Sequence, residues 1–382
     1  MILIKVLFWL SVFLVVYAYI LYPLLLILLD RLNPVREPIF ASRMPGVSVV
    51  IAAYNEEKHI AARIENLLEL GCPRENLEII IASDGSDDKT NEIVRSYEAQ
   101  GVKLFAHPER RGKVNALNEA VPRASHAIVV FSDATTLFEK DVLKNLTRNF
   151  QNEKVGCVCG LLRFVTAGGT RSGELEGVYW RFETMLKRLE GGRGALLGAT
   201  GAIFAIRKEL FIKLPSNTII EDFVLPMKIL ERGYQVIFEP EAVALEETAK
   251  RIVHEKARRI RIGAGGFQAL SLLGPMLNPA RGFPALAFWS HKVIRWCVPF
   301  FMMTAGLTNL ILIHEPLYFI LFLLQCLFYL MALVGQALSW THIYLKTFSL
   351  CYYFVSMNVA LFLGFMRFVT DTQKVAWDRA ER

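Results

Sequence analysis

The sequence predicts an α/β domain with a mostly parallel sheet, accompanied by transmembrane α-helices, one N-terminal and about three C-terminal. Two observations lead to this prediction. Between residues 44 and 248, short β-branched apolar runs alternate with helix-patterned stretches, as in parallel sheets covered by helices on both faces. Long uncharged runs lie near both ends of the 382-residue chain, and 53% of the residues are hydrophobic, above the roughly 45–50% of ordinary soluble proteins. We therefore set aside a disordered chain and a disulfide scaffold.

The first uncharged run extends from Val6 to Leu29. At about 1.5 Å per helical residue, it exceeds the roughly 30 Å thickness of the hydrocarbon core. It is also longer than the apolar region of a cleaved signal peptide, and it ends at Asp30-Arg31. We therefore expect residues 1–43 to form a retained N-terminal transmembrane anchor and its linker.

Three further uncharged runs follow in the C-terminal part, residues 296–382, and each is long enough for a membrane helix. They cover Trp296–Ile313, Leu317–Leu338 and Phe348–Met366. The preceding segment, residues 249–295, is rich in lysine and arginine, which favours an interfacial position on the cytoplasmic side. The side of the C-terminal tail stays open, because an odd number of spans would place a basic tail opposite that segment.

The segment 44–248 contains short apolar strand patterns that alternate with helical patterns, which indicates βαβ units. The predicted strands are Val47–Ala52, Leu77–Ala82, Val102–Ala106 and Ala127–Phe131. The predicted helices are a stretch ending at Glu69, then Lys89–Ala99, Asn115–Val121, Lys140–Phe150 and a stretch from Glu221 to Glu231.

Polar side chains follow three of these strands at the point where each strand ends. Tyr54-Asn55-Glu56 follows the first strand, Asp84 the second and Asp133 the fourth. Because ligands of open α/β sheets bind outside the carboxyl ends of the strands, we expect these side chains to line one crevice. Each cluster alone could instead be a turn with a helix cap. Their repetition at successive strand ends favours a site.

Six motifs in this order and spacing resemble the family 2 glycosyltransferases of GT-A fold, in particular membrane-anchored bacterial members. The motifs are Val49–Glu57 (VVIAAYNEE), Ile80–Asp88 (IIASDGSDD), Arg111–Asn118 (RGKVNALN), Val129–Thr136 (VVFSDATT), Gly198–Ala205 (GATGAIFA) and Ile219–Asp222 (IIED). The resemblance covers about residues 45–265. It implies a nucleotide-sugar donor and a saccharide acceptor, which the membrane helices suggest is lipid-linked.

The resemblance also implies a divalent metal, Mg²⁺ or Mn²⁺, which bridges the diphosphate of the donor and has Asp133 as its ligand. In the family this motif often has two acids separated by one residue, whereas Thr135 stands at the second position here. One carboxylate with diphosphate and water is a common way to hold Mg²⁺, but the change leaves the identity of the metal open. The alternative for Asp133 is a strand-end cap.

Several other residues are implied to bind the nucleotide sugar. Asp84 resembles the family acid that accepts the N–H of the base. Tyr54 and Glu56 would line the base and ribose pocket, beside Ala52, where the family often has proline. Lys113 enters a predicted helix, where a compact ammonium suits a phosphate; its alternative is a solvated surface lysine.

The basic stretch Arg258-Arg259-Ile260-Arg261 resembles a motif of processive relatives such as cellulose and hyaluronan synthases. That motif is a glutamine, two variable residues and then Arg-Trp. Here Arg258 replaces the glutamine, Ile262 replaces the tryptophan and Arg261 keeps the arginine, so Arg261 is implied to neutralise the departing diphosphate. The lost tryptophan and the few spans favour addition of one sugar over chain extension. Alternatively, these arginines only face lipid headgroups.

Glu221 and Asp222 open a predicted helix. Inverting sugar transfer needs one base for the proton of the acceptor hydroxyl, and the resemblance implies that Asp222 is this base and that Glu221 assists it. The alternative is two acids that stabilise a helix amino terminus. Upstream, the turn containing Gly198, Thr200 and Gly201 lets an acceptor sugar approach the backbone closely.

The sequence thus predicts an inverting hexosyl- or N-acetylhexosaminyltransferase. It would use a UDP-sugar and a lipid-linked saccharide or glycolipid, in cell-envelope or exopolysaccharide synthesis, and we expect no nucleic acid partner. The nearest alternative is a small processive polysaccharide synthase. An alternative from another class is a membrane transporter subunit with a nucleotide-binding domain, but the predicted spans lack the Asp, Glu, Lys and Arg side chains that mark ion paths.

Overall fold

The computed structural model describes residues 1–33, 44–165, 172–247, 252–341 and 345–373. The chain forms two compact units. Within the described residues, the α/β unit takes 44–165 and 187–247, and the helical unit takes the remainder. The predicted domain boundaries at 43, 248 and 295 stay predictions.

The bounds of the elements are as follows. The strands are β1 Val47–Ala53, β2 Leu77–Asp84, β3 Val102–His107, β4 Ile128–Asp133, β5 Leu137–Phe138, β6 Val155–Val165, β7 Phe204–Arg207 and β8 Gln235–Glu247. The helices are α1 Ile2–Val16, α2 Tyr22–Leu32, α3 Ile60–Leu68, α4 Thr90–Arg95, α5 Lys113–Ala120, α6 Val142–Thr147, α7 Ser172–Gly191, α8 Glu221–Glu231, α9 Ile252–Leu272, α10 Phe283–Ala287, α11 Ile294–Ile311, α12 Pro316–Trp340 and α13 Lys346–Val369.

One sheet of eight strands forms the centre of the α/β unit, in the order β3-β2-β1-β4-β7-β6-β8-β5. The first four strands of this order are parallel, β7 is antiparallel to both neighbours, and β6 and β8 are again parallel. Every residue of β1 is buried, as expected for a strand with helices on both faces. The predicted mostly parallel sheet is confirmed.

Two predicted helices are shorter in the structure. The stretch Lys89–Ala99 forms α4 followed by a 3₁₀ turn, and Lys140–Phe150 forms α6 followed by another. Such turns are frequent where an α-helix ends. In contrast, α8 has the predicted bounds.

Among the residues that the structure describes, the helical unit contains four helical segments that are long and apolar enough to cross a membrane, as predicted. They are Ile2–Leu32, Phe283–Ile311, Pro316–Trp340 and Lys346–Val369. The second begins earlier than predicted. The predicted uncharged run starts after Arg295, whereas the helical segment already includes His291 and Arg295. Both side chains contact Glu183 on α7, and the ion pair of Arg295 with Glu183 lowers the cost of burying these two charges.

Candidate active site

The carboxyl ends of the central strands place the predicted donor-binding residues side by side. In the register of β1 with β4, Ala52 is opposite Asp133, and in the register with β2 it is opposite Ala82. Asp84 and Asp133 are the last residues of their strands. The carboxyl ends of these parallel strands, where the sequence predicts a crevice, therefore lie side by side in the sheet.

Lys113 brings two of the predicted acids together at this edge. Its Nζ atom lies 2.9 Å from Asp133 Oδ1 and 2.9 Å from Glu221 Oε1. Burial alone would lower the pKa of Lys113, but the carboxylates of Asp133, Glu221 and Asp222 outweigh it and raise this pKa. Lys113 is thus a charged ammonium among three carboxylates, rather than a solvated surface lysine.

The predicted acceptor turn packs against the start of α8. Asp222 Oδ2 accepts a hydrogen bond from the Gly201 N–H at 3.2 Å, and the Asp222 carbonyl accepts one from the Ala199 N–H at 2.8 Å. A Cβ atom on Gly201 would lie 3.1 Å from Asp222 Oδ2, and Gly198 has a φ of +82°. Glycine at these two positions therefore lets the turn approach the Asp222 carboxylate.

Asp84 holds the loop that precedes α5. Its Oδ1 atom accepts from the Arg111 N–H and its Oδ2 atom from the Gly112 N–H, both at 2.7 Å. Only glycine fits at position 85 of this loop, because a Cβ atom there would lie 2.4 Å from the Arg110 backbone nitrogen. The contact of Asp84 with a base stays a prediction, and the observed bonds show that it shapes the loop leading to Lys113.

The loop after β1 is tied to the loop after β2. The Glu56 N–H donates to Thr90 Oγ1 at 2.8 Å, and the Asn55 N–H donates to Ser86 Oγ at 3.1 Å. The guanidinium carbon of Arg110 lies 3.9 Å from the centre of the Tyr54 ring. An aromatic face and a cation therefore adjoin the predicted base pocket, and sequence reasoning missed Arg110.

Arg63 was also missed. It is fully buried on α3, and its NH2 group donates to Ser132 Oγ at 2.9 Å, directly before Asp133. Burial lowers the pKa of Arg63 to about 9, although the Asp133 carboxylate opposes this shift. The signal in the sequence is an arginine among Ile60, Ile64 and Leu67 on the apolar face of a helix.

Lys187 is a third residue that the sequence analysis did not single out. Its Nζ atom donates to Thr200 Oγ1 at 2.6 Å, in the acceptor turn. The amide N–H of Thr200 donates to the buried Cys159 Sγ at 3.2 Å. The side chain and the backbone of Thr200 are thus both held in place beside the glycines of the turn.

The chemistry of the acids fits one divalent cation. Asp133 and Glu221 each place a carboxylate oxygen 2.9 Å from the same nitrogen, so both acids face one cation position with the hard ligands that Mg²⁺ and Mn²⁺ prefer. Within the described residues, no group of three or more His, Cys, Asp or Glu side chains forms a metal site. The protein thus offers two carboxylates, and further ligands would come from diphosphate and water.

Arg261 lies on α9 and belongs to the helical unit, whereas the other predicted site residues belong to the α/β unit. Its role toward the diphosphate stays a prediction. The predicted site residues of the α/β unit, in contrast, all lie on loops or element ends at the strand edge described above or on the turn that contacts Asp222.

Comparison with known proteins identifies related sequences. Residues 48–214 match the family model described as Glycosyl transferase family 2. The poly-beta-1,6-N-acetyl-D-glucosamine synthase of Staphylococcus aureus (strain COL) is 28% identical over 233 residues, which are 59% of this chain and 56% of that protein. The corresponding synthase of Staphylococcus epidermidis is 29% identical over 235 residues, 60% of this chain and 56% of that protein. The chain therefore spans little more than half the length of these curated relatives.

A solved structure has a similar fold. A mannosyltransferase from Pyrobaculum calidifontis, in complex with GDP-Man and Mn²⁺, superposes with a TM-score of 0.73 at 23% identity. The match covers 96% of this chain and 100% of that chain. At this level of identity, the likeness shows the fold alone.

Proposed function

We propose that this chain is a glycosyltransferase that performs inverting transfer of a hexose or N-acetylhexosamine. Residues 48–214 match the family 2 glycosyltransferase model, and the chain is similar to polysaccharide synthases. The donor is a nucleotide-diphosphate sugar, a UDP-sugar in our proposal. The acceptor is a saccharide or glycolipid held at the membrane. The observation that carries this proposal is the meeting of Asp133, Glu221 and Asp222 around Lys113.

In the proposed reaction, Asp222 is the base. It removes the proton of the acceptor hydroxyl while that oxygen attacks the anomeric carbon, and the bond from this carbon to the diphosphate oxygen breaks on the opposite face. The Gly201 N–H, which donates to Asp222 Oδ2 at 3.2 Å, orients the carboxylate. The acceptor turn supplies the open backbone next to it.

The departing nucleoside diphosphate gains charge as the bond breaks. Lys113, whose ammonium lies 2.9 Å from Glu221 in the structure, stands where it can neutralise that charge. Asp133 and Glu221 would hold a divalent cation, which supplies further neutralisation of the diphosphate when bound. Tyr54, Glu56 and Asp84, beside Ala52, would bind the nucleoside, and Arg261 would bind the diphosphate.

The acceptor and the location follow from the helical unit. Four membrane-length helices would keep the catalytic unit beside a lipid-linked acceptor, and the basic segment after the catalytic unit favours the cytoplasmic side. A second candidate is processive synthesis, which is favoured by the similarity to poly-beta-1,6-N-acetyl-D-glucosamine synthases. Against it, Ile262 stands where processive relatives have a tryptophan.

The test uses the full-length protein in vesicles of native lipid extract, with a panel of labelled UDP- and GDP-sugars. One discrete labelled lipid supports single addition, and a ladder of high mass supports the synthase. Asp222→Asn should lower the rate about 10³-fold, within the range for loss of a general base. Glu231→Gln, at the other end of α8, is the matched control and should stay within about twofold of the wild-type rate. Normal turnover by the Asp222 variant would overturn the assignment of the base.

A further inference from the structure

The Lys113 ammonium lies between the two acids that would hold a divalent cation. Its ammonium contacts Asp133 Oδ1 and Glu221 Oε1 at the same distance, 2.9 Å. A Mg²⁺ ion binds its oxygen ligands at about 2.1 Å and requires near-octahedral geometry. The ammonium and a metal ion therefore cannot occupy the same position between these two oxygens.

A second cation lies behind Asp133. The guanidinium of Arg63 is buried, donates to Ser132 Oγ at 2.9 Å and stacks 4.0 Å from the centre of the Phe138 ring. Asn66 Oδ1 accepts from its NH1 group at 2.6 Å. These contacts fix a positive charge on the inner side of the strand end. The single acid of the metal motif is thus compensated from two sides.

The resulting charge balance is unfavourable for a metal ion alone. Lys113 and Arg63 offset two of the three carboxylates, Asp133, Glu221 and Asp222. A divalent cation that entered by itself would meet a weak net negative charge, and it would have to displace the Lys113 ammonium from Asp133 and Glu221. A nucleoside diphosphate changes both conditions, because it brings at least two negative charges and offers oxygens to the ammonium.

We propose that Lys113 fills the cation position of the ligand-free site and that a divalent cation enters only together with the nucleoside diphosphate, which takes over the Lys113 ammonium. This proposal rests on the proposed function, since it takes the donor to be a nucleotide-diphosphate sugar. Lys113 thereby makes metal binding conditional on the donor. Asp133 and Glu221 exchange an ammonium for a metal ion, and no carboxylate is left without a cation in either state.

Direct measurement of Mn²⁺ binding tests this proposal without sugar transfer. Full-length protein in detergent is titrated with Mn²⁺, and the free ion is measured by electron paramagnetic resonance, first without nucleotide. The Lys113→Met variant should bind Mn²⁺ at least tenfold more tightly than the wild type, because a positive charge within a few ångströms of the metal is removed. The same variant should bind UDP at least tenfold more weakly.

Two further variants keep the result interpretable. Lys228→Met removes one positive charge from α8, about 10 Å along the helix from Glu221, and should leave Mn²⁺ binding within about twofold. Lys113→Arg keeps the charge and should bind Mn²⁺ as weakly as the wild type does. Hydrogen exchange of α5 peptides verifies that each variant is folded.

Equal or weaker Mn²⁺ binding by Lys113→Met in the absence of nucleotide would overturn the proposal. So would wild-type protein that binds Mn²⁺ equally well with and without UDP, after correction for the Mn²⁺ that UDP holds in solution. Failure to transfer sugar would count against the proposed function, whereas these binding results stand independently of transfer.

Discussion

The amino ends of the parallel strands, called here the amino edge of the sheet, and their carboxyl ends, the carboxyl edge, carry carboxylates that are held in different ways. At the amino edge, Glu78 on β2 is almost fully buried and accepts hydrogen bonds from Ser48 Oγ, from the Ser125 N–H and Oγ at 2.7 Å each, and from Lys103 Nζ. Burial alone would raise the pKa of Glu78, but the hydrogen bonds from Lys103, Ser125 and Ser48 outweigh it and lower the pKa to about 2.

At the carboxyl edge, Asp133 and Glu221 share the end of one long, flexible side chain. The hydroxyl and backbone donors around Glu78 are fixed by their strands and loops, whereas the ammonium of Lys113 can move to another acceptor. The comparison separates a carboxylate with fixed partners, which stabilises the fold, from carboxylates with an exchangeable partner, which can bind a ligand.

The largest expected effect is at the carboxyl edge. Asp133→Asn should lower the rate of sugar transfer at least about a hundredfold, because an amide cannot supply the charge that a cation needs. Hydrogen exchange of β1 and β2 in the same variant should change by less than about 1 kcal/mol in opening free energy, as for a site that does not hold the fold together. Initial rates and exchange by mass spectrometry check both.

Asp141→Asn is the matched control for Asp133→Asn. Asp141 is exposed and lies eight residues further along the chain, so its change should leave the rate within about twofold. A large loss of protection in β1 and β2 without loss of turnover would reverse the distinction between the two edges.

The sequence predicts half of the strands of the sheet, those that can be recognised from a short segment of the chain alone. Short, mostly apolar runs indicate β1 to β4, and strand-end polar residues indicate the edge where Asp84 and Asp133 lie. The sequence analysis did not assign β6 to β8, because their pairing depends on a register between distant segments, such as β6 with β8. Alternation of apolar residues alone does not specify this register.

The same limit applies to the site. Lys113 and Glu221 are each marked by a motif, but their contact joins residues far apart in the chain, and no spacing rule predicts it. The sequence analysis did not single out Arg63, because helical periodicity places it on an apolar face that packs in the core. An arginine on such a face has no assigned role until its partners are known. The partners that explain it, Ser132 and Phe138, come from other elements.

A substitution at the amino edge should change the stability of the protein rather than its activity. Glu78→Gln should lower the opening free energy of β1 and β2 by about 2 kcal/mol, because the Ser125 and Lys103 donors then face a neutral amide. Turnover of the folded protein should stay within about twofold. Hydrogen exchange in the full-length protein measures the loss, with the exposed Glu75→Gln as control. A drop in turnover without a change in exchange would contradict the structural role of Glu78.

The contribution of Glu78 should depend on pH with a definite sign. Its pKa is about 2 in the folded protein and 4.5 ordinarily, so its stabilisation is complete above about pH 5 and is lost as the pH falls toward 2. At about pH 3, at least half of the difference in opening free energy between wild type and Glu78→Gln should have disappeared. A difference that stays constant from pH 7 to pH 3 would show that Glu78 is not held as a carboxylate.

The smallest effect is expected for the lysine at the amino edge. Lys103 is 50% exposed, whereas Glu78 is 7% exposed, and an ion pair with one solvated partner contributes less than about 1 kcal/mol. Lys103→Met should therefore cost less than Glu78→Gln, because Ser48 and Ser125 still donate to the carboxylate. Hydrogen exchange of β1 and β2 compares the two variants under identical conditions. If Lys103→Met costs as much as Glu78→Gln, the lysine holds the carboxylate, and both edges of the sheet depend on an ammonium.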